Sequence, residues 1–246
     1  MLRKYWKVIF AIVLVAISAG LYYAHYLLFH DPEHIFIFLV GDIAFVPIEV
    51  LLVTLVLDGM LQRQERLALA DKLNMLVGAF FTDVGTEVLE RLGEFDPDHH
   101  TVAHILTPTP DWKPSNFAKA RKAADKIGEN VDARAGDLPG LYAYLRSQRD
   151  FLLRILENPN LLERDGFTDA LWAVTHVLEE LSHRDDLTCL AEKDLDHLSG
   201  DLARAYRAVA SEWVYYMMHL QKQYPYLFSL AVRTNPFDPT AQAEVG

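Results

Sequence analysis

The chain has a single cysteine, Cys189, among 246 residues. One thiol excludes an intramolecular disulfide framework and every paired-cysteine metal or redox motif, and it fits a reducing compartment. Cys189 lies in an ordinary helical pattern and reads as packing. Charge is missing altogether from Val8 to Phe29, and no lysine or arginine occurs from Val8 to Leu57. Proline is absent between Pro47 and Pro97, so nothing there interrupts a helix. No segment sustains the alternation of a strand, and no glycine-rich phosphate loop or Ser-His-Asp arrangement is present. A basic surface is lacking too. Residues 58–246 hold 30 of the 34 acidic residues but only 20 of the 23 basic ones. Nucleic-acid affinity rests on neutralising phosphates, so no nucleic-acid partner is expected.

What is there begins with two long apolar runs. The first, Val8 to Phe29, covers 22 positions, and at a rise of about 1.5 Å per residue it spans a hydrocarbon core about 30 Å thick. The second, Ile35 to Leu57, is of similar length but contains Asp42 and Glu49. The turn between them, His30-Asp31-Pro32-Glu33-His34, contains a proline that breaks the helix and is short enough to make the pair an antiparallel hairpin. Arg3, Lys4 and Lys7 precede the first run; Arg63, Arg66 and Lys72 follow the second. The positive-inside rule then places both termini in the cytoplasm, in a membrane of the bacterial inner type. Tyr22, Tyr23, Tyr26 and Phe29 supply an outer aromatic girdle, and Tyr5 and Trp6 an inner one. The opening Arg-Lys and Ala16-Ile17-Ser18 imitate a secretory signal, but the apolar run continues well past that cleavage point.

The expected fold is all-α. A transmembrane hairpin (1–57, spans about 8–29 and 35–57) continues into a membrane-proximal long helix (58–93). An irregular connection holding Pro97, Pro108, Pro110 and Pro114 follows (94–114), then a cytoplasmic helical bundle (115–233) and a flexible tail (234–246). Within the bundle, Ser115 is a predicted N-cap for a basic helix through about Ala133. Pro139 suits the first turn of a second helix, ending at Asn158-Pro159. Thr168 and Thr188 are predicted caps for a third and a fourth. No internal repeat, low-complexity tract or hinge-like linker is present.

Asp42 and Glu49 are the sharpest chemical signal. Seven residues apart, they share a helix face at depths of roughly 10 and 20 Å below the outer turn. A charge at mid-membrane costs at least about 2.5–3.5 kcal/mol, and neither span offers a basic partner. Either the acids are neutral and hydrogen-bond across helices, or a homo-oligomer gathers them around a wet axis, as cation pores do. Pro47, between them, frees a backbone carbonyl as a further oxygen ligand. Ala16, Gly20 and Ala24 form a small-residue stripe suited to close helix packing. In the outer turn, His30, Asp31, Glu33 and His34 could bind a divalent metal or sense pH.

In the bundle, Glu180-x-x-His183 and Asp194-x-x-His197, with Glu212 to complete the set, imitate the ligands of dimetal carboxylate bundles. His176 reads as partly buried packing beside Trp172. A metal or phosphate role is weighed for His99, His100 and His104. The helix after Ser115 is basic at Lys119, Lys122 and Lys126 and apolar at Phe117, Ala124, Ile127 and Val131, a pattern that could rest on anionic lipid.

The function expected from these signals is a homo-oligomeric two-span membrane protein with an acidic cation- or proton-conducting or -binding pore. The alternative is a membrane-anchored scaffold or sensor that binds a cytoplasmic protein partner. A metal-site enzyme stands third. Lipid and a second copy of the chain are the expected partners, and no cofactor beyond a divalent metal is implied.

Overall fold

The computed structural model describes residues 2–161, 165–238 and 240–244, with the side chains of residues 2–5 outside the description. The flanking side chains of Arg3, Lys4 and Tyr5 therefore lie outside the described residues, as do positions 239, 245 and 246 of the expected tail. The described residues are all-helical, without a strand. The chain divides into two compact units, Met1–Arg66 and Leu67–Gly246.

The first unit is made by α1 (Leu2–Phe29) and the first two thirds of α2 (Pro32–Phe80). Asp31 marks the turn: its Oδ1 accepts the N–H groups of Glu33 and His34 at 3.1 Å each, which caps α2, and Pro32 fills the first helical position. His30, with φ at 51°, closes α1 in the left-handed region and donates its N–H to Tyr26 O. The two helices fold back on each other. The Tyr22 hydroxyl donates to Asp42 Oδ2 at 3.3 Å, and the rings of His25 and His34 stack with centroids 6.5 Å apart. Both helices are long and apolar enough to cross a membrane, and none of their most apolar window is buried.

The second unit has its own core. α2 passes through a π-helical turn, Phe81–Gly85, into α3 (Thr86–Gly93). Two consecutive aromatics at the start of this turn, Phe80 and Phe81, are both buried. Phe80 meets Phe167 edge-on, with ring centroids 5.4 Å apart, while Phe81 stacks on Tyr216 and meets Trp213 edge-on. Thr86 Oγ1 donates to Phe81 O across this turn, at 2.7 Å. α4 (His99–Leu106), α5 (Pro114–Ala124), α6 (Leu138–Ser147) and α7 (Arg149–Leu156) surround α8 (Asp165–Ser182) and α9 (Glu192–Gln223); α10 (Pro225–Arg233) closes the bundle. α9 is its centre. Leu198, Leu202, Ala205, Val209, Trp213, Met217 and Leu220 recur every three or four residues and are buried against neighbours that include α8, α5, α10 and α3.

Several expectations shift. The connection expected to be irregular contains α4. α5 stops at Ala124, and its N-cap is Lys113 rather than Ser115. The residues expected on its apolar face, Phe117 and Ala124 of α5 and Ile127 just beyond it, are buried in the bundle core and so are not available to lipid. The single helix expected from Pro139 breaks at Gln148 into α6 and α7. α8 begins before Thr168, whose hydroxyl donates back to Leu161 O. α9 is capped by Ala191 rather than Thr188. The start of the expected flexible tail is packed: Phe237 is 1% exposed, and the buried Asn235 donates through Nδ2 to Leu106 O and accepts the Phe237 N–H. A polar residue that satisfies two backbone groups and an aromatic ring in the core hold that segment down.

Candidate functional site

The residues singled out in the first unit do not converge on one site. Asp42 is held by Tyr22. Glu49, exposed on α2, has no hydrogen-bond or ion-pair partner among the described residues. Pro47 lies inside α2 between them. A Cβ added at Gly20 would meet nothing within 4 Å, so the fold-back of α1 on α2 does not use the Ala16, Gly20, Ala24 stripe. In the outer turn Asp31 is engaged as the helix cap, and His34 stacks on His25 and meets Phe38 edge-on; no described contact joins an imidazole of the turn to Asp31 or Glu33.

The second unit brings four ionisable side chains together on the seam between α8 and α9. His176 and Glu180 stand one turn apart on α8, and His197 and Asp201 one turn apart on α9, so each pair shares a helix face. Asp201 Oδ2 lies 3.4 Å from His176 Nε2 and 3.3 Å from His197 Nε2. Glu180 straddles the same point, with Oε1 3.9 Å from His176 Nε2 and Oε2 3.6 Å from His197 Nε2. Asp201 is 3% exposed. Its Oδ1 accepts from Arg204 at 2.8 Å, but its Oδ2 has no hydrogen bond. Arg184, from the α8–α9 connection, braces the end of this seam. It donates to Asp194 through two nitrogens and to Glu180 Oε2 and the Glu180 carbonyl. These bonds hold the carboxyls of Glu180 and Asp194 below the usual carboxylate range, so both stay ionised.

Of the set expected from the Glu-x-x-His spacing, Glu180 and His197 therefore meet and the others do not. His183 is exposed and bonds the Glu179 carbonyl through Nδ1. Asp194 is engaged by Arg184. Glu212, 4% exposed, lies against the first turn of α8, where a Cβ on Gly166 would sit 2.5 Å from its Oε1. That is about 16 Å along α9 from Asp201. His176 and Asp201 complete the cluster, and the signal for them is the repeated spacing His-x-x-x-Glu and His-x-x-x-Asp on two adjacent helices.

A second polar pair lies in the core. His99 Nδ1 is 2.6 Å from the hydroxyl of the fully buried Tyr206, and its ring stacks on Phe237. Burial lowers the His99 pKa, and the neighbouring His100 adds to this against a smaller opposite effect of Asp96. Burial likewise pushes the Tyr206 phenol well up, so it stays protonated.

Residues 69–233 match the family model described as the C-terminal helical domain of the uncharacterized protein MJ1433, and residues 2–61 match the model of its N-terminal helical domain. The chain is similar to the uncharacterized protein MJ1433 of Methanocaldococcus jannaschii, with 40% identity over 235 residues that cover 96% of this chain and 94% of that relative. No solved structure matches the chain.

Proposed function

The chain belongs to the MJ1433 family through both its N-terminal and its C-terminal helical part, and we propose that it is a two-span membrane-anchored protein whose C-terminal helical unit acts as a sensor or scaffold. The observation that carries the anchor is the exposure of nearly every large apolar side chain from Trp6 to Leu61. A continuous apolar surface of that extent is incompatible with water and matches the lipid-facing surface of a helical hairpin. The basic residues on both outer flanks and the acidic turn orient the hairpin with both termini on the cytoplasmic side. A sensor or scaffold is supported by the bundle, which has its own core and its own polar cluster, and by Asp42, whose carboxylate serves the hairpin through Tyr22.

Cysteine accessibility tests the reading. With the exposed Cys189 first replaced by serine, a cysteine at position 32 should react with an impermeant thiol reagent on intact cells, and one at position 65 only after lysis. The reverse pattern, or release of the protein by alkaline carbonate, would sink the anchor. A second reading, a homo-oligomer that conducts or binds cations, is favoured by Glu49, for which a neighbouring copy is the partner the hairpin does not offer.

A further inference from the structure

We propose that His176, Glu180, Asp201 and His197 form a binding site for one divalent transition-metal ion on the α8–α9 seam. Three of them, His176, Glu180 and Asp201, offer ligand atoms that all lie within 4.8 Å of one another. His197 stands beside this set, its Nε2 3.3 Å from Asp201 Oδ2 and 3.6 Å from Glu180 Oε2.

The spacing separates this cluster from an ordinary ion-pair network. Four ligands at about 2.1 Å from a tetrahedral ion lie about 3.4 Å from each other. Asp201 Oδ2 to His176 and His197 (3.4 and 3.3 Å) matches that edge length and Glu180 Oε1 to His176 (3.9 Å) exceeds it, all longer than charge-assisted hydrogen bonds; the 3.6 Å from His197 is to Glu180 Oε2, the oxygen Arg184 holds. By contrast, Arg184 reaches Asp194 at 2.6 Å and Glu180 at 3.0 Å on the same seam, so the fold makes close ion pairs where it uses them.

An independent observation comes from Asp201. Its Oδ2 is buried and without a hydrogen bond, although two imidazole nitrogens stand nearby. A buried carboxylate oxygen left without a donor is costly and rare. An ion at the centre of the cluster would supply what that oxygen lacks. Arg204 on Oδ1 fixes the carboxylate so that Oδ2 points to the imidazoles, as outer partners do for metal ligands, and Arg184 fixes Glu180 in the same way. Two imidazoles with two carboxylates select zinc, iron or a related transition metal over magnesium or calcium, which take oxygen ligands. The cluster is open to solvent through the His176 and His197 side chains, 42% and 57% exposed, and His176 also borders a groove of about 600 Å³ lined by Trp172, Arg204, Arg207 and Ser211 among others.

A metal here would be the ligand of the sensor reading above, which this inference rests on for its consequence but not for its chemistry. The ion would tie α8 to α9 and so set the geometry of the bundle's central helix pair.

The test uses full-length protein in detergent, stripped with chelator and titrated with cobalt(II) and zinc(II). Expected are one equivalent bound per chain, visible absorption of four-coordinate cobalt, its loss on addition of zinc, and a rise in Tm. Asp201→Asn keeps the buried shape, and His197→Ala changes an exposed side chain that threatens no core. Each should weaken binding about tenfold or more, with helical content unchanged. His183→Gln and His104→Gln should bind as wild type. No binding at 100 µM of either metal, or binding that survives both Asp201→Asn and His197→Ala, overturns the site. Carbonate release of a protein that still gives the cobalt spectrum would remove the membrane anchor and leave the metal site standing.

Discussion

At the scale of single residues, the bundle places polar groups inside and then either satisfies them fully or leaves an atom open. Asp96 is the satisfied case: 5% exposed, it accepts from the N–H of Asp98 through Oδ1 and from that of Gly128 through Oδ2. Gly128 is needed for this. Its φ is +77°, and a Cβ there would lie 3.2 Å from the Ala203 carbonyl oxygen. Asp201, whose Oδ2 has no hydrogen bond, is an open case, as is the indole N–H of the buried Trp213. His99 is a third kind, a titratable ring kept neutral by its surroundings. Its pKa in the folded protein lies below the value of about 6.5 that it has when unfolded, so the unfolded chain binds the proton more tightly. Its contribution to stability is therefore complete above pH 6.5 and declines as pH falls below that. A protonated ring has two donors, so the Tyr206 hydroxyl would have to turn and accept, while His100 adds like-charge repulsion when it is protonated. The Tm of wild type should drop between pH 7.5 and 5.5, and the drop should be smaller in His99→Gln. Equal drops in the two proteins would exclude His99 as the cause.

At the scale of elements, the π turn and the seam carry the most consequence. At the entry to the π turn Phe81–Gly85, Phe80 and Phe81 are both buried and join Phe167, Trp213 and Tyr216 in one aromatic group. Truncating a fully buried phenylalanine costs about 3–5 kcal/mol. Phe81→Ala should therefore lower urea-unfolding stability by about that amount, whereas Glu94→Ala, at an exposed position, should change it by less than about 0.5 kcal/mol. A small effect of Phe81→Ala would mean that the turn does not organise the core. The break between α6 and α7 has a similar local logic. Tyr144, in the last turn of α6, donates its hydroxyl to Val84 O, its ring lies under Arg91, and its pKa is raised to about 12 by burial and by Glu87. That anchorage ties the end of α6 to the π turn and to α3.

At the scale of the whole molecule, the match of two family models to residues 2–61 and 69–233 agrees with the division of the chain near Arg66. Asp42 and Glu49, the acids of the second apolar run, belong to this scale because under the proposed membrane anchor their partners would decide whether the protein works alone or as an oligomer. With Asp42 held by Tyr22, Asp42→Asn should be nearly silent, since an amide oxygen also accepts from a hydroxyl. Glu49→Leu should loosen a homo-oligomer by about 1 kcal/mol per lost interhelical bond, read by cross-linking or mass photometry in detergent. Cation flux in reconstituted vesicles that falls on Glu49→Gln would instead favour the pore reading.

The sequence alone determined the apolar runs, their breakpoint at Pro32 and the all-helical class, because these rest on local composition. A bilayer asks only for length and the absence of charge, and a helix end only for a proline or a cap. It also determined that His176 shares a face with Glu180, and His197 with Asp201, since helical period alone places residues four apart together. Only the tertiary structure decided that the two faces meet. Their rotation and register follow from the packing of α9 against α8, where Leu198, Leu202 and Ala205 are buried on one side and Val174, Val177 and Leu181 on the other. The same packing gave Arg184 to Asp194, turned His183 to solvent and left Glu212 far along the helix. The Phe237 segment was unreadable for the same reason: its place depends on a carbonyl at Leu106 and a ring at His99, both remote in sequence. Period fixes what lies on one helix face, and side-chain packing between helices fixes which faces form a site.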